Sequence, residues 1–262
     1  MAEEKKKIGF WSIVLLTINA IIGTGIFLSP GGVAKLSGSL APFIYICAAV
    51  FAAVLALSFA SASRYVVKNG AAYAYCEAAF GENAGLYVGI TRFVAASIAW
   101  GVMATGVVKT ALQILGQDSS DKGKITLGFL LLMTILLVIN LVGTRVLTFV
   151  SNLSTIGKLS ALAITILAGF YILFTTHVNR ILEVDQLLND AGEKLVPPLT
   201  SGGFVTAVIA AFYAFTGFES VASGASDMEE PEKNLPKALP LAISIIALIY
   251  FGIVFVSMMI DP

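Results

Sequence analysis

The chain has 262 residues, of which 58% are apolar and 12% are charged. Soluble domains carry about 25% charged residues, so this composition excludes an ordinary soluble domain. The 16 basic and 16 acidic residues cancel, which leaves no basic surface for a nucleic acid and no acidic tail. We therefore expect no nucleic-acid partner.

Long stretches without a charged side chain divide the sequence. A membrane-spanning helix needs about 20 mostly apolar residues, and all but one of the stretches reach that length. They run over residues 8–34, 36–63, 93–108, 125–144, 195–218 and 238–260. The pattern predicts an all-α polytopic membrane protein whose surroundings are the lipid bilayer.

We expect one transmembrane domain, residues 1–262, with seven helices. Their predicted bounds are 9–36, 40–66, 84–114, 124–144, 148–175, 203–228 and 236–260. With the amino terminus inside, nine Lys and Arg residues fall on the cytoplasmic side and six on the other. Because loops rich in Lys and Arg stay in the cytoplasm, we expect an integral multi-pass protein with a cytoplasmic amino terminus. A bacterial cytoplasmic membrane is the expected location.

Glycine interrupts two of these helices near the middle of the membrane. The first helix contains NAIIGTGIF (19–27), and the sixth contains AFYAFTGFESVASG (211–224) with Thr216-Gly217 at its centre. Broken backbone at that depth persists only where protein or a water-filled cavity satisfies its N–H and C=O groups. Paired breaks in corresponding helices indicate a transporter binding site, although glycines also permit close helix packing.

The two breaks offer opposite electrostatics. A half-helix that starts near Gly25 presents free N–H groups and the positive end of its dipole to an anion, and the Thr24 hydroxyl adds a donor. A half-helix that ends near Phe215 presents carbonyl groups to a cation. A free amino acid, with one carboxylate and one ammonium group, fits both breaks.

Several segments resemble the amino acid–polyamine–organocation (APC) superfamily of permeases. IIGTGIFLSPGGVAKLSGSLAPF is similar to the first helix and the loop after it, and NGAAYAYCEAAFG resembles the re-entrant loop after the second helix. FYAFTGFESV and EEPEKNLPKALP are similar to the sixth helix and its following loop. The resemblance implies an inverted-repeat transporter fold with broken helices 1 and 6. This chain would contain the complete first repeat and an incomplete second one, truncated after the seventh helix.

The resemblance also implies a secondary active transporter for amino acids that works by alternating access. The first break would bind the substrate carboxylate, and the Phe215 and Thr216 carbonyls would bind the amino group. Tyr213 and Phe218 would flank or gate the pocket, and for Tyr213 core packing is the alternative. On the third helix, Ala96, Ser97 and Trp100 would face the substrate or serve helix packing. The predicted binding residues are Ile22, Gly23, Thr24, Gly25, Ser97, Trp100, Tyr213, Phe215, Thr216, Gly217 and Phe218.

Lys158 is the predicted proton-coupling residue. If the fifth helix starts near Thr148, Lys158 lies about 15 Å along it, half-way through a hydrocarbon layer about 30 Å thick. Some proton-coupled members of the superfamily carry a lysine on helix five where sodium-coupled relatives bind an ion. An interfacial anchor is the alternative. Glu219 is the second titratable candidate, as a gate, a relay or a cap of its half-helix.

Nothing in the sequence indicates catalysis or a cofactor. Cys47 and Cys76 lie in or beside apolar segments, and His177 is the only histidine. We therefore expect no enzyme activity, no cofactor and no metal, and the expected small partners are an amino acid and protons. Because Glu219 is the only charged side chain among the candidates near the breaks, neutral amino acids are favoured. Amino acid or polyamine exchange, a non-transporting fragment, and a seven-helix channel or receptor remain alternatives.

Overall fold

The computed structural model describes residues 7–142, 144–188 and 194–260, and α-helices dominate this described part. The helices are α1 (Phe10–Ile21), α2 (Gly25–Ser37), α3 (Ala41–Ala62), α4 (Ala72–Phe80), α5 (Glu82–Ile114), α6 (Lys122–Val142), α7 (Thr144–Thr176), α8 (Ser201–Phe212), α9 (Phe218–Ala222) and α10 (Pro231–Ile260). Short 3₁₀ turns occupy Gly38–Leu40, Val184–Gln186, Tyr213–Phe215 and Ala225–Asp227.

In the described part of the chain, five helical stretches are long and apolar enough to cross a membrane. They are Gly25–Ala62, Glu82–Ile114, Lys122–Val142, Leu153–Thr176 and Pro231–Ile260. Two shorter apolar helices cover Phe10–Ile21 and Ser201–Phe215. The prediction of an all-α polytopic membrane protein is confirmed.

The predicted first and sixth helices are each interrupted. α1 and α2 have 12 and 13 residues, or about 18 and 20 Å at 1.5 Å per residue. Neither half alone crosses a hydrocarbon layer of about 30 Å. The sixth helix, predicted over 203–228, consists of α8, the turn Tyr213–Phe215 and the 5-residue α9.

Other bounds also differ from the sequence-based expectation. The connection 67–83 contains α4, and α7 begins at Thr144 instead of 148. α10 begins at Pro231 and continues through Pro236 and Pro240, whereas the prediction started it at 236. Proline is favoured at the first helical position because its missing N–H would have no intrahelical partner there. Pro231, rather than Pro236, therefore occupies the start of α10.

Contacts group the chain into two compact units. The first combines Met1–Val88 with Leu162–Pro262, and the second is Gly89–Ala161. In the first unit α3 packs along α10, and the buried face of α3 carries a small residue at every fourth position. These residues are Ala48, Ala52, Ala56 and Ala60, all fully buried. Small residues let helix backbones approach closely within a membrane. The expectation that residues 1–262 form one transmembrane domain stays a prediction.

In the second unit, α5 and α6 approach each other closely at one glycine. A Cβ added at Gly128 of α6 would lie 2.6 Å from Cγ1 of Val108 on α5, so the two helices touch at a position where glycine provides the space. Many of the unit's apolar side chains are exposed, including Phe93 and Leu127. Exposed apolar surface of this kind suits a hydrocarbon environment.

A carboxylate joins the long α7–α8 connection to the end of α2. Asp185 accepts hydrogen bonds from the Ser39 backbone N–H at 3.1 Å and from the Ser39 hydroxyl at 2.7 Å. Gly38 has a φ of +56°, and a Cβ there would overlap the Asp185 carboxylate. We call Gly38, Ser39 and Asp185 the α2 latch.

Candidate functional site

The first break occupies residues 22–24. α1 ends at Ile21, and Ile22 has extended dihedral angles (φ −68°, ψ 92°). The first i→i−4 bond of the following half-helix runs from Leu28 N–H to the Thr24 carbonyl, at 3.1 Å. The N–H groups at the start of α2 therefore precede the helical ladder, as at any helix N-terminus.

The second break follows α8. The helix tightens into the turn Tyr213–Phe215, Thr216 is extended (φ −66°, ψ 150°), and Gly217 has a φ of 123°. That φ is accessible to glycine at little cost but strains other residues. The Thr216 hydroxyl donates to the Tyr213 carbonyl at 2.8 Å. In the described part of the chain, no backbone N–H donates to the carbonyls of Phe215 or Thr216.

The two breaks touch each other through glycine. A Cβ at Gly25 would lie 2.6 Å from Cα of Ala214, and a Cβ at Gly217 would overlap the carbonyl oxygen of Ala20. Each broken span therefore contributes one glycine to a backbone-to-backbone contact. The start of α2 and the turn Tyr213–Phe215 that follows α8 therefore lie together.

Two buried hydroxyl groups beside the breaks have no hydrogen-bond partner within the described part of the chain. Among the described residues, the Thr24 Oγ1 and the Tyr213 hydroxyl oxygen are buried without a hydrogen-bond partner. Buried polar atoms are nearly always hydrogen-bonded, so these two are available to a bound polar molecule. Gly23 and Thr216 are exposed, so each break also presents one open backbone position.

Some predicted residues have their side chains in the core. Ile22 and Phe215 are fully buried, and Phe218 is almost so. The Phe218 ring packs edge-on against Phe59 with a centroid distance of 5.8 Å. Ile22 and Phe215 can reach a ligand only through their backbones, which is the role predicted for them. The gating role of Phe218 stays a prediction.

Glu219 lies in the first turn of α9. Its carboxylate accepts a hydrogen bond from the Gly217 backbone N–H at 2.9 Å. A carboxylate at a helix N-terminus is stabilised by the unpaired N–H groups and by the dipole. This geometry matches the capping role, while the gate or relay role stays a prediction.

The remaining predicted residues belong to other helices. On α5, the Ser97 hydroxyl donates to the Phe93 carbonyl at 2.8 Å, and Trp100 is 60% exposed. Lys158 is half-buried on α7, about 21 Å from the helix start at Thr144. All three lie in the second unit, so their predicted roles at the breaks stay predictions.

Three hydroxyl-bearing residues near the breaks were missed by the sequence analysis. They are Ser29 on α2, Tyr45 on α3 and Tyr250 on α10, and the hydroxyl of each has a hydrogen-bond partner. The sequence signal that could have identified Tyr45 and Tyr250 is a tyrosine within an apolar run. A phenolic hydroxyl in such a run must find a hydrogen-bond partner inside the membrane.

Paired broken helices in an all-helical membrane protein are typical of secondary transporters. The family model for amino acid permeases matches residues 8–262, nearly the whole chain. The chain therefore belongs to the amino acid permease family, whose members are transporters and not enzymes. The resemblance to the APC superfamily is confirmed.

Individual relatives match over almost the same range. An uncharacterized transporter of Mycobacterium tuberculosis is 44% identical over 97% of this chain and 55% of its own length. The serine/threonine exchanger SteT of Bacillus subtilis is 29% identical over 96% of this chain and 54% of its own length. The branched-chain amino acid permease BcaP of Bacillus subtilis is 27% identical, with 94% and 53% covered. The chain spans about half the length of the curated relatives it matches.

Proposed function

We propose that this chain forms the substrate-binding part of a secondary active transporter for amino acids, which works by alternating access. The observation that carries the proposal is the contact between the two helix breaks at Gly25 and Ala214. This contact brings the N–H groups at the start of α2 beside the backbone carbonyls of the second break, which follow α8. The substrate carboxylate binds at Gly23–Gly25, and its ammonium group binds the carbonyls of Phe215 and Thr216.

The substrate is proposed to be a neutral amino acid. Around the breaks, the polar groups available to a ligand are hydroxyls and backbone groups, namely the Thr24 Oγ1 and Tyr213 hydroxyl together with the open carbonyls. The Glu219 carboxylate is already engaged with the Gly217 N–H. Two relatives are named for neutral amino acids, one for serine and threonine and one for branched chains.

Transport is proposed to be a proton symport in which Lys158 takes up and releases the coupling proton. A lysine within a membrane span is costly, which marks it as a functional candidate. The protein is proposed to lie in a bacterial cytoplasmic membrane with its amino terminus in the cytoplasm. Exchange of one amino acid for another is the second candidate, favoured by the relative that is named an exchanger.

A panel of radiolabelled amino acids tests these proposals on the full-length protein in proteoliposomes. Uptake is measured with an inward proton gradient, with the gradient collapsed, and with unlabelled amino acid inside. Accumulation that requires the gradient supports symport, whereas uptake that requires internal amino acid supports exchange. Uptake of no amino acid under any of the three conditions overturns the proposed function.

Competition by modified substrates tests the binding mode. Blocking the carboxylate as an amide removes the charged partner of the α2 N–H groups. We expect the amide to compete about 5- to 10-fold less well than the free acid, because a hydrogen bond to a charged group contributes about 1–1.4 kcal/mol more than a neutral one. Equal competition by the amide and the free acid would contradict carboxylate binding at the first break.

A further inference from the structure

Two buried tyrosines lie behind the breaks. Tyr45 of α3 and Tyr250 of α10 are both fully buried, and their rings meet edge to face with centroids 6.2 Å apart. Phe215 packs against both rings, at 6.5 Å from Tyr45 and 5.1 Å from Tyr250. The three rings form a cluster on the core side of the second break.

Tyr250 holds the second break directly. Its hydroxyl donates a hydrogen bond to the Ala214 carbonyl at 3.1 Å. In a continuous helix that carbonyl would accept from the N–H four residues later, but the break at Thr216-Gly217 interrupts the ladder. The tyrosine therefore supplies the donor that the broken helix has lost, inside a region where water is scarce.

Tyr45 holds the first break through Ser29. The Ser29 Oγ lies 2.6 Å from the Tyr45 hydroxyl oxygen and donates to the Gly25 carbonyl at 2.8 Å. A serine hydroxyl has one proton, and here it is directed to Gly25. Tyr45 must therefore donate to Ser29, so that the chain of donors runs from Tyr45 through Ser29 to Gly25.

The hydrogen bonds from Tyr250 and from Tyr45 through Ser29 both end at the contact between the two breaks. Gly25 and Ala214 form one of the two backbone contacts between the breaks. We propose that Tyr45 and Tyr250 are positioning residues whose hydroxyls hold this contact in the geometry that binds substrate. The inference rests on the proposed function, since it assigns a role to residues that support the same site without touching the substrate.

Removing single hydroxyls tests the proposal. The variants are Tyr250→Phe, Tyr45→Phe and Ser29→Ala, which preserve the rings and the α2 backbone. Tyr171→Phe on α7 is the matched control, because Tyr171 is 70% exposed. We expect each of the three variants to weaken amino acid binding about 3- to 10-fold, the range expected for one hydrogen bond. Ser29→Ala combined with Tyr45→Phe is expected to weaken binding no further than either alone, because both interrupt one chain.

A second measurement needs no substrate. Hydrogen–deuterium exchange of the ligand-free protein follows peptides that cover residues 22–28 and 213–218. We expect faster exchange in both segments for the three variants and wild-type exchange for Tyr171→Phe. Unchanged exchange in both segments, or a lower melting temperature with unchanged affinity, overturns the positioning role. If exchange rises as expected but the wild-type protein binds no amino acid, the tyrosines do hold the breaks and the proposed function is wrong.

Discussion

Gly23 and Gly25 are two residues apart and have opposite surroundings. A Cβ at Gly23 would meet only the Ile21 carbonyl oxygen, at 3.9 Å, whereas a Cβ at Gly25 would lie 2.6 Å from Cα of Ala214. We expect Gly23→Ala to fold normally and to bind substrate at least about 10-fold more weakly, because its methyl group obstructs the carboxylate. Scintillation proximity binding gives the affinity, and thermal melting reports the fold.

Two glycines of α2, Gly31 and Gly25, provide the comparison for that variant. A Cβ at Gly31 would meet nothing within 4 Å, so Gly31→Ala is expected to leave binding unchanged. Gly25→Ala is expected to lower the melting temperature as well as the affinity, because it pushes the two breaks apart. Wild-type affinity in Gly23→Ala would exclude Gly23 from the binding site.

Lys158→Ala distinguishes a proton-coupling role of Lys158 from the role of an interfacial anchor. If it carries the coupling proton, Lys158→Ala is expected to retain substrate binding and to lose accumulation driven by a proton gradient. If it is an interfacial anchor, the alanine variant inserts less well, but each inserted molecule still responds to pH. The measurement is uptake per inserted molecule, with the gradient present and then collapsed. Accumulation to the wild-type ratio would remove Lys158 from the coupling mechanism and leave Glu219 as the candidate.

At the scale of elements, the α2 latch predicts which loop residues stabilise the protein. Asp185 accepts two hydrogen bonds from Ser39, and its loss would leave both donors without their acceptor. We expect Asp185→Ala to destabilise the protein by about 1–3 kcal/mol. Glu183, two residues earlier, forms an exposed pair with Arg180, and Glu183→Ala is expected to cost less than about 1 kcal/mol. Thermal melting of both variants in detergent compares them, and equal shifts would contradict the latch.

The two interrupted helices show which features of the fold the sequence could predict. The breaks were predictable because Gly23, Gly25 and Gly217 lie inside apolar runs, where glycine is costly unless the backbone needs it. The extent of the second break was not predictable, because a tertiary contact, the hydrogen bond from Tyr250 to Ala214, lies within its 3₁₀ turn Tyr213–Phe215. Those residues are far apart in sequence, and no local pattern joins them.

For the molecule as a whole, the proposed orientation can be read from its loops. With a cytoplasmic amino terminus, Ser120 between α5 and α6 faces outward and Lys68 between α3 and α4 faces the cytoplasm. Both residues are exposed. In a background without the free cysteines Cys47 and Cys76, a membrane-impermeant maleimide is expected to label Ser120→Cys in intact cells. Lys68→Cys is expected to react only after the cells are opened, and the reverse pattern would invert the proposed topology.

The backbone contacts between the breaks also bear on how such a protein can evolve. Gly25 and Gly217 have no room for a side chain, so a substitution at either position damages the architecture before it changes any preference for substrate. Thr216 is exposed beside them, and a change of its side chain removes only the hydrogen bond to the Tyr213 carbonyl. At the proposed site, a new substrate range can therefore arise through positions such as 216 while Gly25 and Gly217 stay unaltered.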